Sequence, residues 1–312
     1  MSIQCLKVYG VSLGSSKRDY SAQLHLAGAD ISIKRLGCDG DLNKALQLVR
    51  RLDGKVDAIG LGGVNFQYRL GKRSYRLREG SLLAAAAGKT PVVDGTFIKQ
   101  YWEPEVVNWL YREKHVDFAA KHVLLTSALD RYELGVCLER LGARVMVGDA
   151  LLALKIPVLF HGVSVFRAAA LPTMPLLSRL PLRCLYPLGR KQEQRKAGWD
   201  RLLTKIDYIV GDFHLINRHL PQNLTGKKLL MSSLTKDDRL ELTRRGAVAV
   251  YALGITAGER SFGANIMDGI IAAAARKETF GTPNKKLILQ ILKPELLALK
   301  GAISFDTGKT RE

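Results

Sequence analysis

KHVLLTSALDRYELGVCLERLGARVMVGD, residues 121–149, is the stretch that decides the fold. Its apolar residues come first as a short run, HVLLTS (122–127). They continue at helical spacing through RYELGVCLERLG (131–142) and end in a second run, RVMVGD (144–149). The pattern is strand, helix closed by Gly142, strand. Short apolar strands separated by helices form a parallel sheet, because each crossover helix covers one of its faces.

The rhythm continues to about residue 276. A segment near 150–197, rich in Leu, Pro and Arg, interrupts it as an insertion. DYIVGD (207–212) is the next strand, followed by the helix FHLINRHL with Pro221 behind it. KKLLMSS (227–233) precedes a helix starting near Thr235, where Asp237 and Asp238 suit the positive end of the dipole. AVAVYALGI (247–255) is the fifth strand and ANIMDGIIAAAAR (264–276) the fifth helix. The expectation is a doubly wound, Rossmann-like α/β domain whose ligand binds at the carboxyl ends of its strands, where strand order reverses. The last segment, NKKLILQILKPELLALKG, reads as a helix broken near Pro294.

Toward the amino terminus the pattern is α/β with hairpins. KVYGVSL (7–13) and VDAIGLGG (56–63) read as apolar strands, and AQLHLAG pairs with ISIKRLG about the turn Ala27–Asp30. Asp41 caps a helix running to about Leu52. FQYRL-GK-RSYRL (66–77) is a second hairpin, SLLAAAAGK a short helix and PVVDGT (91–96) a buried strand. A helix over about 103–114 leads onward. Two domains are expected: residues 1–118, α/β with hairpins, and residues 119–312, Rossmann-like, carrying the insertion.

Composition fits this. With 312 residues and 47% hydrophobic content, the chain can bury a sizeable core. No apolar run is long enough for a membrane helix, and the start lacks a secretory pattern, so a cytoplasmic location without a membrane partner is expected. Four scattered cysteines without a CxxC pair suggest neither zinc nor a disulfide framework. The 48 Lys and Arg against 29 Asp and Glu give a net charge of +19, which favours small anionic metabolites or nucleic acid. The basic residues are dispersed, which disfavours nucleic acid.

Candidate site residues fall at strand ends. Ser127 and the amides of the 126–131 turn can hold a phosphate, with Arg131 to neutralise it; Asp130 is there too, or is only a helix cap. Asp149 ends the second strand where a ribose-binding carboxylate sits, or caps the next helix. Asp212 and His214 close the third strand and can share a proton with a substrate hydroxyl; the alternative is a capping Asp212 and a surface His214. Ser232 ends the fourth strand. Ser261 and the amides at the start of the last helix make a further anion seat, with Arg260 adjacent and Asn265 facing the crevice; the alternative is a Ser N-cap plus a glycine turn. In the first domain Ser15, Ser16, Lys17 and Arg18 follow a strand and can nest a substrate anion. Asp94 and Lys99 stand near one strand end, as a pair moving a hydroxyl proton would, or as a plain salt bridge.

The blocks VSLGSSKRDY, VDAIGLGG, KTPVVDGT, LLTSALDRYEL, LYPLGRKQE, DYIVGDFHLINRHLP and GERSFGANIMDG together resemble a bacterial family named quinate 5-dehydrogenase or quinate/shikimate dehydrogenase-like. The resemblance implies NAD(P)-linked oxidation of a cyclic hydroxy-acid, with Lys99 and Asp94 as catalytic residues. Shikimate dehydrogenases proper carry NVTxPxK and a GAGG-type cofactor loop; the corresponding stretches here are PVVDGTFIK and TSALDR. The leading expectation is an oxidoreductase using NAD or NADP, with its substrate between the two domains. The alternative is a non-redox protein that binds a phosphorylated metabolite or nucleotide in the same crevice.

Overall fold

The computed structural model describes residues 5–181, 203–257 and 260–301. Cys184, the block LYPLGRKQE, the basic run Arg190–Lys196 and the pair Gly258–Glu259 lie outside the described residues.

Two sheets organise the chain. The first contains β1 (Cys5–Ser12), β2 (Tyr20–Leu26), β3 (Ala29–Gly37) and β4 (Ala58–Gly62). β5 (Gln67–Leu70) and β6 (Arg73–Arg76) form a separate hairpin, and β7 (Val92–Val93) returns to the first sheet. Its order is β2-β3-β1-β4-β7, parallel except for the edge strand β2. The β2–β3 hairpin turns on Ala27 and Gly28, both at positive φ (48° and 79°), which matches the twist of a two-residue loop.

The second sheet contains β8 (His122–Leu125), β9 (Arg144–Val147), β10 (Phe160–His161), β11 (Tyr208–Gly211), β12 (Lys228–Met231) and β13 (Ala249–Ala252). Its order is β10-β9-β8-β11-β12-β13, parallel except for β10, which the insertion adds at the edge. Without β10 this is the doubly wound order 2-1-3-4-5, reversing between β8 and β11. The fold is therefore α/β and Rossmann-like, and the first sheet reverses in the same way beside β1.

Alternation along the strands divides the core. Val123 and Leu125 of β8 join Leu6 and Val8 of β1 in one large cluster that runs through Trp102 and Val106. Leu124 instead faces the outer cluster of the second sheet, with Ile209, Leu229 and Phe213. Val11, Ile59 and Leu61 face the helix Leu42–Leu52 on the outside of the first sheet. Asp41 caps that helix through Lys44, as expected. Trp102 is fully buried and its indole N–H donates to the Leu253 carbonyl at 2.9 Å, tying the connecting helices to the end of β13.

Two expectations are corrected. The helix Lys285–Gly301 runs through Pro294 without a break. Ile288, Leu292 and Leu296, one turn apart, are buried in the large core and hold it in register across the proline. The helix Ala264–Arg276, read as the fifth helix of the second sheet, packs instead across β1 and β4. Its first turn lies so close that a Cβ on Gly60 would stand 2.4 Å from the Asn265 carbonyl oxygen, and one on Gly95 2.7 Å from the Asn265 nitrogen. Gly95 also sits at φ 86°. Among the described residues no helix is long and apolar enough to cross a membrane.

Because Gly60 meets backbone rather than a flexible side chain, Gly60→Ala is expected to cost about 1–3 kcal/mol, the range for overpacking. Urea denaturation checks this, and a loss below about 0.5 kcal/mol, the size of an ordinary surface substitution, would contradict the packing described.

Candidate functional site

The carboxyl edges of both sheets open on one cleft of about 170 Å³. Ser12, Gly62 and Asp94 reach it from the first sheet; Asp130, Asp212 and Ser232 reach it from the second. The first turn of the helix Ala264–Arg276 completes its floor through Asn265 and Ile266.

One wall is cationic. The Ser15 hydroxyl accepts from the Lys17 amide, and the Ser16 amide donates to Asp39, which sets a short turn over Ser16–Arg18. That turn leaves Lys17 exposed and brings Arg18 into the cleft. Arg18 donates to Asp238 at 2.6 Å and lies 2.6 Å from Nδ1 of His214. Arg35 donates to Asp19, to the Ser12 hydroxyl and to the Ser15 carbonyl. Arg260 donates to the Arg18 carbonyl at 3.0 Å and lies 4.4 Å over the Tyr20 ring. Three guanidiniums thus stand with three carboxylates, Asp19, Asp238 and Asp212; Asp238 and Asp19 pair with Arg18 and Arg35, and Asp212 accepts two backbone amides. Burial and the Arg18 charge push His214 down to about 4, so it stands there as a neutral acceptor. Burial lifts the Tyr20 hydroxyl to about 12, against the pull of Arg260 and Arg35.

The opposite wall carries a largely buried acid–base group. Lys99 donates from Nζ to Asp130 at 2.7 Å and to the Asn65 side-chain oxygen at 2.9 Å. The Asn65 amide donates to the same Asp130 oxygen at 2.8 Å. The other Asp130 oxygen meets Arg131, which Glu103 holds at 2.7 Å. Burial alone would raise Asp130, but Lys99 and Arg131 outweigh it and keep the carboxyl below its ordinary range. The expected Lys99–Asp94 pair does not form. Both Asp94 oxygens accept backbone amides instead, Phe66 at 2.6 Å and Thr96 at 3.0 Å. Asp94 shapes the turn, and Asp130 is the carboxylate of Lys99.

The remaining candidates separate into two groups. Asp212 caps the helix Phe213–Ile216 through the His214 and Leu215 amides, and its own amide donates to the Thr126 hydroxyl. Ser261 exchanges hydrogen bonds with both backbone groups of Leu234, and Asn265 donates to the Gly60 carbonyl. These residues line the cleft with Ser15, Ser232 and Arg260. Ser16, Lys17, Ser127 and Asp149 do not. Asp149 is buried and accepts from the Ser127 hydroxyl and from the Ala128 and Leu129 amides. Burial raises it to about 6 in spite of those three donors.

Two residues of the cleft, Arg35 and Asn65, are not among those the sequence pattern singles out. Arg35 carried a signal: it follows Ile31 and Ile33 on the inward parity of β3, where an arginine needs a reason to be. Asn65 lies in a loop after Gly62 and Gly63, and nothing local marks it.

Comparison with known proteins finds two family models. Residues 7–94 match a domain of unknown function (DUF8753), and residues 97–295 match a second domain of unknown function (DUF8754). The chain belongs to the DUF8754 family. No protein of curated function matches it. Among solved structures it is similar to one of the dipicolinate synthase proteins of Bacillus halodurans, at 14% identity and a TM-score of 0.26, over 78% of this chain and 87% of that one. The dipicolinate synthase of Bacillus subtilis gives 9% identity and a TM-score of 0.29, over 97% and 98%. A protein from Mycobacterium smegmatis gives 12% and 0.28, over 86% of each chain.

His214 offers a test of the cationic wall. Its folded value, about 4, lies below the ordinary 6.5, so its contribution to stability is present above pH 6.5 and is lost as pH falls through 4. The stability difference between wild type and His214→Gln, measured by urea denaturation, is expected to shrink steadily over that window. A difference independent of pH would show that His214 is not held neutral by Arg18.

Proposed function

We propose that this protein is an enzyme acting on a small hydroxy-carboxylate, with Lys99 and Asp130 moving a proton at the substrate hydroxyl. The observation that carries this reading is the 2.7 Å Lys99–Asp130 contact, which faces three guanidiniums across a cleft of about 170 Å³. That volume is near the roughly 150 Å³ of a cavity that holds one benzene-sized ring. The three guanidiniums of that wall suit a carboxylate. Arg260 would receive it, with Arg18 and Arg35 held beside it by their own acids. The hydroxyl then meets Lys99, and ionised Asp130 holds the ammonium in place as the pair gives or takes the proton.

The resemblance to quinate/shikimate dehydrogenase-like proteins favours oxidation as the reaction, in the cytoplasm and on a diffusible ring acid. Such an oxidation would need a hydride acceptor of the NAD or NADP class. The turn over 126–131 does not fit the phosphates of such a cofactor, because its amides and Ser127 are already bonded within the chain. What the residues themselves supply is binding, orientation and proton transfer. A second reading, binding of a phosphorylated metabolite without redox chemistry, is favoured by the positive start of the helix Ala264–Arg276 next to Arg260 in the cleft.

Thermal shift with cyclic hydroxy-carboxylates tests the proposal, since a ligand at 100 times its Kd stabilises by about 2.7 kcal/mol. Arg260→Gln is expected to weaken the responding acid roughly ten- to hundredfold, the value of one charge-assisted bond. Lys99→Met is expected to keep binding and lose about 10²–10⁴ in turnover. Stabilisation by phosphate esters but by no hydroxy-carboxylate would favour the second reading and sink the first.

A further inference from the structure

The turn after β8 is closed by the chain itself. β8 and β9 are neighbours in register, Leu125 beside Val147, so the turn at 126–131 and Asp149 meet above the same sheet edge. Oδ1 of Asp149 accepts the Ser127 hydroxyl at 2.8 Å and the Leu129 amide at 3.1 Å, and Oδ2 accepts the Ala128 amide at 2.6 Å. The next two amides are also taken: Asp130 donates to the Ser127 hydroxyl and Arg131 to the Ser127 carbonyl. Four consecutive amides, 128 to 131, are therefore committed inside the protein.

A helix cap does not explain this. The short helix Asp149–Leu152 is preceded by Gly148, and the Asp149 side chain reaches across to the neighbouring turn. In a doubly wound sheet, the turn after the first strand is where converging amides and a hydroxyl grip a nucleotide phosphate. Here the same kinds of donor converge on a carboxylate that is only 5% exposed. Asp130 stands on the same turn as a second negative charge, already paired to Lys99. An incoming phosphate would have to displace one carboxylate and approach another.

We propose that Asp149 is the resident anion of the second sheet's phosphate seat and a specificity-determining residue, turning nucleotide phosphates away from that turn. This does not rest on the hydroxy-acid reading, because Ser127 and Asp149 do not line the cleft. It accounts for a strand-to-helix turn without glycines: with a side chain as the bound anion, no ligand backbone has to approach.

Removing the carboxylate tests it. Asp149→Ala empties the seat, so formate or inorganic phosphate is expected to raise the melting temperature of this variant by a few degrees beyond chloride at equal ionic strength, with no such gain in wild type. If the variant does not fold in chloride, the readout is refolding yield, expected to recover in formate or phosphate. Equal response of variant and wild type to these anions would overturn the proposal. Independently, wild type is titrated with ADP, NAD and NADP by calorimetry. No saturable binding, or binding that Ser127→Ala leaves unchanged, agrees with a closed turn. Saturable binding that Ser127→Ala weakens tenfold or more would place a phosphate on that turn and overturn the proposal.

Discussion

The helix Ala264–Arg276 lies across β1 and β4, so the chain completes its second sheet and then returns to pack on its first. The contact is backbone against backbone at Gly60 and Gly95, which leaves little freedom in how the two sheets meet. Asp268 on the same helix is buried, accepts the Gly95 amide at 3.2 Å and pairs with Lys285 at 2.6 Å. The turn carrying Asp94, the helix carrying Lys99 and the final helix are thereby fixed to one element. Trp102 adds the second tie, reaching from the Lys99 side to the end of β13. With both ties in place the carboxyl edges of the two sheets face each other, and the cleft between them follows.

Within that frame the cleft is a balance of charges. Arg131 lies between Glu103 and Asp130, and Asp130 lies between Arg131 and Lys99. Each charge in this chain of four has an opposite neighbour, as the cost of burying a lone ion demands. Across the cleft Arg18 and Arg35 are matched by Asp238 and Asp19, while Arg260 rests on a carbonyl and a tyrosine face. Arg260 is thereby left facing the cleft, where a ligand can meet it. His214 stays neutral beside Arg18, so it adds no charge to the cleft.

Much of this was legible in the sequence, and for physical reasons. The strand–helix–strand reading of residues 121–149 holds because apolar period reports which faces are buried. Asp41 was legible as a cap because a side-chain oxygen at a helix start has one obvious use. The destination of the helix 264–276 was not legible: an amphipathic helix shows that it has a buried face, not which sheet covers it. The partner of Lys99 was misread for a similar reason. Asp94 is nearer in sequence, but its oxygens were needed by two backbone amides, and Asp130 comes from the other sheet. Asp149 was expected to end the second strand; it opens the short helix Asp149–Leu152, two residues past β9. Its role depends on which donors the neighbouring turn leaves unsatisfied, and spacing does not carry that.

The claim that one cleft serves both sheets is tested most directly by a crystal structure of the chain with a small cyclic hydroxy-carboxylate. The arrangement described here predicts the carboxylate on Arg260 and its two neighbouring arginines, and a hydroxyl within hydrogen-bond distance of Lys99 Nζ. An acid bound away from this cleft, or held with its carboxylate on Lys99 and no group near Arg260, would contradict it.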